Sequence, residues 1–195
     1  MKDKIIILFG MPGAGKGAVS QIMRWQPNVT HVSTGGLLRA LDPESELGKK
    51  VRACIDAGQF ASDDLIYQMV GDALVPGKDI LLDGFPRKVS QAEWLMNGFA
   101  DKFDMVAFLL NLDESVATAR RDKGINDYIL RGEEPRKDDT DLTVLPKRFA
   151  EYRSQTEPTV EFMREKLGAN RFFDIDGRVT LEDVYDSVMK ILTGL

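Results

Sequence analysis

A short apolar run that leads directly into a glycine-rich turn is the feature that most limits how this chain can fold. Residues 4–9, Lys-Ile-Ile-Ile-Leu-Phe, are almost entirely apolar and rich in β-branched side chains, so they predict a buried central strand. Glycines follow at once, and residues from about Lys16 to Trp25 then predict a helix. A strand that enters a glycine turn and continues as a helix is typical of layered α/β proteins.

Three further apolar runs predict three more strands, at Asp79–Asp83, Met105–Leu110 and Arg171–Ile175. Helical patterns fall between and after them, around Gln91–Gly98 and over Leu181–Leu192. Strands that alternate with helices in this way predict a parallel sheet with right-handed crossovers and helices on both faces.

Two stretches depart from this simple alternation. Residues 34–74 predict several helices in succession with no strand between them, and residues 124–141 are polar, charged and rich in turn formers. A long polar segment inside a compact α/β domain is more often a functional lid than a structureless loop. We therefore expect one domain over residues 1–195, with a helical insertion at 33–62 and a lid at about 124–141.

Composition excludes several classes of function. Of the 195 residues, 43% are hydrophobic and 29% are charged, which is the profile of a globular domain and not of a disordered or membrane chain. No apolar run approaches the roughly 20 residues that span a bilayer, and no signal-peptide pattern precedes the first strand, so a cytoplasmic location is expected. The net charge of −5 argues against a surface that coats nucleic acid. Cys54 is the only cysteine and His31 the only histidine, so neither an internal disulfide nor a Cys/His zinc cluster is expected.

The turn after the first strand carries a phosphate-binding motif. Residues 10–16, Gly-Met-Pro-Gly-Ala-Gly-Lys, match the G-x-x-x-x-G-K pattern of the P-loop in the required strand–turn–helix context. The glycines allow backbone N–H groups to converge on a phosphate, the helix N-terminus adds partial positive charge, and Lys16 neutralises phosphate oxygens. The hydroxyl residue that usually follows the lysine is replaced by Gly17, and Ala18 comes next. A hydroxyl at that place helps to hold Mg²⁺ or a phosphate oxygen in general P-loop enzymes.

With these residues the sequence resembles the adenylate kinase family of nucleoside monophosphate kinases. The family's loop pattern, G-x-P-G-x-G-K-G-T, is met except that Ala18 stands where threonine is usual. Further family motifs follow in order over nearly the whole chain: Ser33-Thr34-Gly35, Leu38-Arg39, Asp83-Gly84-Phe85-Pro86-Arg87, Gln91-Ala92, Arg136-x-Asp138-Asp139, Lys147-Arg148-Phe149, Thr156-Glu157-Pro158 and Asp176-Gly177. The resemblance implies a three-layer P-loop sandwich with an AMP-binding insertion and a short lid. It also implies reversible phosphoryl transfer from Mg·ATP to AMP, which gives two ADP.

On the ATP side the resemblance assigns the P-loop to the phosphates, through Gly13, Ala14, Gly15, Lys16, Gly17 and Ala18. Gly177 would expose backbone to the ATP adenine, and one of Arg120 and Arg131 would stack on or flank that base. Asp83 would act on Mg²⁺ through water, as family members use it. The expected cofactor is therefore Mg²⁺ with ATP, and no zinc is expected.

On the AMP side the resemblance assigns Arg39 and Arg87 to the AMP phosphate, which planar guanidinium groups hold better than lysines do. Arg136 and Arg148 would bridge the two substrates. The implied AMP site contains Thr34, Arg39, Gln59, Phe60, Ala61, Gly84, Phe85, Pro86, Arg87, Gln91, Arg136 and Arg148, and the implied catalytic set is Lys16, Arg87, Arg120, Arg131, Arg136 and Arg148. Thr34 and Gln91 mark the adenine pocket.

Three departures from the family pattern cluster around the substrates: Ala18, Gly36 in place of an aspartate, and Gln59 in place of a common lysine. They leave open a second reading, a nucleotide-binding sensor that has lost most catalysis. A UMP or CMP kinase is a third reading, but such enzymes usually carry alanine and asparagine where Thr34 and Gln91 stand. The expected partners are ATP, AMP and ADP, with no nucleic acid or membrane, and the expected oligomeric state is a monomer.

Overall fold

A computed structural model describes residues 2–56, 62–130, 132 and 144–195 of the chain. Its centre is a five-stranded sheet in the order β2-β3-β1-β4-β5, and all the pairings are parallel. The strands are β1 (Lys4–Phe9), β2 (Val29–Ser33), β3 (Asp79–Asp83), β4 (Asp104–Asn111) and β5 (Phe172–Asp176). The predicted α/β class with a central parallel sheet is confirmed.

Helices cover both faces of this sheet, and the two faces have separate apolar cores. Ile5 and Ile7 belong to one core cluster, whereas Ile6 and Leu8 belong to the other, because alternate side chains of a strand point to opposite faces. The helices are α1 (Lys16–Met23), α2 (Thr34–Arg39), α3 (Glu46–Asp56), α4 (Asp63–Ala73), α5 (Val89–Phe99), α6 (Glu114–Leu130), α7 (Val144–Glu151), α8 (Glu157–Leu167) and α9 (Leu181–Thr193), with a π-helical turn at Tyr152–Thr156 between α7 and α8. The result is a three-layer sandwich.

The central strands match the sequence prediction closely, and one edge strand was not predicted. β1 and β3 have the predicted bounds, and β4 and β5 differ from theirs by about one residue at each end. The strand that the sequence analysis missed is β2, which lies at an edge of the sheet and buries only Val32 fully. A strand with one buried side chain carries too weak an apolar pattern to be recognised.

The two stretches outside the simple alternation are partly described. α2, α3 and α4 follow one another without a strand in the described part of residues 34–74, as the sequence predicts. α6 continues through Gly124 to Leu130, so the first part of the predicted lid is the end of a helix; residues 131 and 133–143 lie outside the described residues. No helix in the described ranges has the length and apolar character needed to cross a membrane.

Strand register brings the chemically distinctive segments to one edge of the sheet. Asp83 at the end of β3 pairs with Leu8 of β1 on one side and with Ser33 of β2 on the other. The glycine turn after β1, the start of α2 and the segment after β3 therefore leave the sheet side by side. Ligands of open α/β sheets bind at this carboxyl edge.

Candidate active site

The turn between β1 and α1 has the backbone of a phosphate cradle. Gly13 and Gly15 have positive φ angles of 85° and 91°, a conformation that side-chain-bearing residues rarely adopt. A Cβ on Gly13 would also lie 2.5 Å from the carbonyl oxygen of Ala117 on α6, so the turn packs too closely for any side chain there. Gly15 is the N-cap of α1, which directs the first N–H groups of this helix toward the turn.

Lys16 lies against the inside of this turn. Its Nζ donates hydrogen bonds to the carbonyl oxygens of Gly10, at 2.5 Å, and Met11, at 3.0 Å. Burial lowers the pKa of Lys16 from 10.5 to about 8; Asp83 opposes this shift, whereas the positive charges of Arg87 and Arg148 add to it. The ammonium is therefore held in surroundings with an excess of positive charge, where a phosphate would be stabilised.

Two arginines from distant parts of the sequence lie close enough to Arg87, which follows β3, to affect its pKa. Burial lowers the pKa of Arg87, and the nearby charges of Arg148 on α7 and Arg39 on α2 act in the same direction, against Asp83. The Nε of Arg87 donates to the carbonyl oxygen of Gly84 at 2.8 Å, which fixes the direction of its guanidinium. Arg39, Arg87, Arg148 and Lys16 are thus brought together at one edge of the sheet, and together they are suited to bind several phosphate groups.

Asp83 is the acidic group among these cations. Burial raises its pKa, but His31 and the charges of Lys16 and Arg87 outweigh burial, so the pKa of Asp83 stays below its ordinary 3.8. The Nε2 of His31 lies 3.9 Å from Oδ2 of Asp83 and has no hydrogen-bond partner among the residues that the structure describes. His31 is not among the residues that the sequence predicts for the site, because its contact with Asp83 joins two strands far apart in the chain.

No group of three or more metal-binding side chains occurs in the part of the chain that the structure describes. One ionised carboxylate still fits Mg²⁺, because this ion keeps several waters and is commonly held by one or two carboxylates together with substrate phosphates. Asp83 meets that requirement.

A second set of contacts surrounds the segment after β3. Gly84 has a φ of 82°, and a Cβ there would lie 2.7 Å from both Thr34 Oγ1 and Arg87 Nη2. Thr34 is buried and donates to the carbonyl oxygen of Gly84 at 3.0 Å. Phe85 is a core residue that packs edge-on against Trp94, so only its backbone can face a ligand. Thr34, Gly84 and Arg87 therefore form one compact unit.

Gln91 on α5 belongs to the same region. Its Oε1 accepts a hydrogen bond from the backbone N–H of Arg87 at 2.8 Å, and its Nε2 donates to Oδ1 of Asp63 at 2.7 Å. Asp63 was not among the residues that the sequence predicted. No short-range pattern indicates this contact, since Asp63 begins α4 and Gln91 lies in the first turn of α5.

Other residues predicted for the site lie elsewhere or outside the described residues. Arg120 on α6 donates to the carbonyl oxygen of Val179 at 2.9 Å, so it lies beside the loop after β5. Gly177 is in that same loop, and its N–H donates to the carbonyl oxygen of Asn111 at 2.8 Å. Arg120 and Gly177 therefore both lie near the loop that follows β5, at the carboxyl edge of the sheet. The predicted residues outside the described ranges are Gln59, Phe60, Ala61, Arg131 and Arg136.

Ala18 and Gly36, two departures from the family pattern, are both exposed at the surface. Ala18 is exposed in the first turn of α1. Gly36 is the third residue of α2, and its N–H donates to the Oγ of Ser33, the N-cap residue, at 3.2 Å. A Cβ on Gly36 would lie 3.3 Å from that of Ser33, which is a tight but surface contact.

The parallel sheet, the glycine cradle with its lysine, and the arginines at the carboxyl edge define a P-loop phosphotransferase. Comparison with known proteins names the family. The family model described as adenylate kinase matches residues 8–167. The chain is 31% identical to an adenylate kinase of Phocaeicola vulgatus over 97% of this chain and 98% of the relative. It is 34% identical to an adenylate kinase of Brucella melitensis over 96% of this chain and 97% of the relative. The chain belongs to the adenylate kinase family, and it is a nucleoside monophosphate kinase.

Proposed function

We propose that the chain transfers the terminal phosphoryl group of Mg·ATP to AMP and so produces two ADP. The observation that carries this proposal is the convergence of Lys16, Arg39, Arg87 and Arg148 at the edge where β1 and β3 end. Such a concentration of positive charge suits two nucleotides whose phosphates meet end to end.

The chemistry needs alignment and positive charge more than it needs a base. A phosphate oxygen of AMP forms a bond to the γ-phosphorus of ATP, while the bond from that phosphorus to the β–γ bridging oxygen breaks. The AMP phosphate is already ionised near neutral pH, so no proton has to be removed from the attacking oxygen. Catalysis then consists of holding both phosphates in line and stabilising the charge that moves between them.

On the ATP side, the N–H groups of residues 13–18 would hold the β- and γ-phosphates, and Lys16 would neutralise their oxygens. The pKa of Lys16 is lowered to about 8, and the negative charge of a bound phosphate would raise this pKa and so favour the charged form of the lysine. Asp83 would hold Mg²⁺ through water, and the ion would neutralise phosphate charge when bound. The position of Arg120 beside the loop that contains Gly177 supports a role next to the ATP base.

On the AMP side, Arg39 and Arg87 would bind the acceptor phosphate, and Arg148 would contact the transferring group. The link from Arg87 to the carbonyl oxygen of Gly84 supports this role, because it holds the guanidinium in place before a ligand arrives. Thr34 and Gln91 would face the adenine.

Several finer points remain predictions. They are the place of Arg131 in the catalytic arginine cluster or beside the ATP base, the phosphate contacts of Arg136, the wrapping of the AMP base by Gln59, Phe60 and Ala61, the insertion at 33–62 and the lid over about 124–141. A monomeric state and a cytoplasmic location are likewise proposed from the sequence alone.

The test is a panel of nucleoside monophosphates with Mg·ATP. ADP should appear from ATP only when AMP is present, and UMP and CMP should be poor acceptors. Equally fast ATP hydrolysis without AMP would refute the proposal. Tight binding of a dinucleotide that mimics both substrates, with turnover near background, would identify a sensor instead. The match to proteins named adenylate kinase does not favour either alternative.

A further inference from the structure

We propose that Asp63 is a positioning residue for base recognition: together with the backbone N–H of Arg87, its carboxylate holds the carboxamide of Gln91 in the orientation that accepts a 6-aminopurine and rejects a 6-oxopurine. The inference rests on the proposed function, in which Gln91 faces the acceptor base. Asp63 is the first residue of α4 and lies 28 positions before Gln91 in the chain.

The orientation of the Gln91 carboxamide follows from its two partners. A backbone N–H can only donate, so the atom that faces the N–H of Arg87 at 2.8 Å must be the carboxamide oxygen. An ionised carboxylate can only accept, so the atom that faces Asp63 at 2.7 Å must be the carboxamide nitrogen. Gln91 is only 3% exposed, so water has little access to replace either partner.

The groups that remain on Gln91 determine which base it can recognise. A carboxamide has two N–H donors and an oxygen that accepts twice, so one donor and one acceptor are left for a ligand. Adenine presents an amino donor beside a ring-nitrogen acceptor, and a 6-oxopurine presents the reverse order. A carboxamide that can rotate by 180° could form hydrogen bonds with both bases. One that is held in place can pair only with the base whose donor and acceptor stand in the matching order.

Asp63 is itself held in position. Lys88 Nζ contacts both carboxylate oxygens of Asp63, at 3.1 Å and 3.0 Å. The side chains of Asp63 and Lys88 are 30% and 28% exposed, so this ion pair is partly shielded from solvent. One carboxylate therefore links the start of α4 to the segment that contains Arg87, Lys88 and Gln91.

The experiment compares AMP with IMP as acceptors, at saturating Mg·ATP, in the full-length chain. IMP differs from AMP at the 6-position and the adjacent ring nitrogen, the atoms that Gln91 would contact. In Asp63→Ala the ratio of kcat/KM for AMP to that for IMP should fall about tenfold, the factor that corresponds to roughly one hydrogen bond. The change should come from the KM values of the acceptors, and the KM for ATP should not move.

Matched variants separate positioning from a general loss of charge or stability. Asp64→Ala removes the same charge one residue later, at an exposed position, and should leave the ratio unchanged. Asp63→Asn keeps an oxygen that can accept from Gln91 and should restore most of the ratio. Lys88→Met keeps the contact between Asp63 and Gln91 and should also preserve it. Asp63→Ser, which suits a helix start but is too short to reach Gln91, replaces the alanine variant if that variant does not fold.

A double-mutant cycle decides whether Asp63 acts through Gln91. In a Gln91→Ala background, Asp63→Ala should cause no further loss of AMP preference. An unchanged ratio in Asp63→Ala and Asp63→Ser, alongside a reduced ratio in Gln91→Ala, would overturn the inference and leave the proposed function intact. A wild-type chain that does not phosphorylate AMP would instead overturn the proposed function.

Discussion

The ammonium of Lys16 donates a hydrogen bond of 2.5 Å to the carbonyl oxygen of Gly10, the first residue of the loop that Lys16 closes. The lysine is therefore held by its own backbone turn, in surroundings that lower its pKa to about 8. Its charge is costly in the folded protein unless a phosphate lies beside it. This relationship predicts opposite effects of one substitution on activity and on stability.

Lys16→Met should lower kcat/KM by roughly 10² to 10³, the typical loss when one charge-stabilising donor is removed. The same substitution should raise the free energy of unfolding at pH 7 by at most about 3 kcal/mol, because the pKa is lowered from 10.5 to about 8. Steady-state kinetics and denaturant unfolding measure the two effects. A variant that is both inactive and less stable would contradict this account.

The pH dependence of this stabilisation has a definite sign. Between the folded pKa of about 8 and the unfolded value of 10.5, the unfolded wild-type chain binds one more proton at Lys16 than the folded chain does. Wild-type stability therefore rises with pH over that window relative to Lys16→Met. The difference between the two proteins should be greatest below pH 8 and should disappear near pH 10.5, as measured by unfolding at a series of pH values.

Arg87→Lys should lower kcat/KM for AMP by roughly 10²-fold, although the charge is kept. A lysine has no planar fork, so it cannot contact the Gly84 carbonyl through one nitrogen and a phosphate through the others. The matched control is Arg24→Lys, which changes an exposed arginine at the end of α1 and should leave kcat/KM within about twofold. Equal effects of the two substitutions would show that Arg87 has no special role.

Ala18→Thr should lower the KM for Mg·ATP or raise kcat, by about fivefold, because the added hydroxyl supplies a hydrogen bond near the phosphates. The position is exposed, so the larger side chain should be accepted. Ala18→Val has nearly the same shape without the hydroxyl, and it should give no gain. A gain in the valine variant would mean that side-chain volume, and not the hydroxyl, limits the wild-type enzyme.

Gly36→Asp should stabilise the protein by roughly 1 kcal/mol, which corresponds to a rise in Tm of about 2–4 °C for a chain of this size. The carboxylate would lie in the first turn of α2, where the N-terminal end of the helix favours negative charge and where glycine weakens the helix. Gly36→Asn provides the uncharged comparison and should gain less. Thermal unfolding at low and high salt distinguishes the two contributions, since only the charge effect is screened.

Much of the fold could be predicted because its central strands are buried on both faces. β1 and β3 are runs of apolar residues followed by glycine, and such runs have few alternative structures. β2 could not be recognised in the same way, because at the edge of the sheet it needs only Val32 as a fully buried side chain. The helical structure at Gly124 could not be predicted either, because glycine is typical of turns, but a glycine with no close neighbours is tolerated inside α6.

The residues of the candidate site also fall into two groups, those that the sequence predicts and those that it does not. Asp83 is the last residue of β3, and Lys16 and Arg87 lie in segments that follow β1 and β3; local patterns identify these residues, and the parallel sheet brings them together. The contacts of His31 with Asp83 and of Asp63 with Gln91 join residues that are far apart in sequence, so no local pattern reports them. Local motifs thus indicate the groups that are expected to touch substrate, whereas the residues that contact those groups are apparent only in the fold.

The pairing of Leu8 with Asp83 has a consequence for how substitutions should propagate. The glycine turn after β1 and the Gly84–Arg87 segment after β3 both follow this pair of neighbouring strands, so the hydrogen-bonded sheet sets the distance between the points where the two segments begin. A substitution in one of these two segments should change the affinity for one nucleotide. A substitution that changes the packing of the core under β1, such as Ile7→Val, should change the KM values for ATP and AMP together.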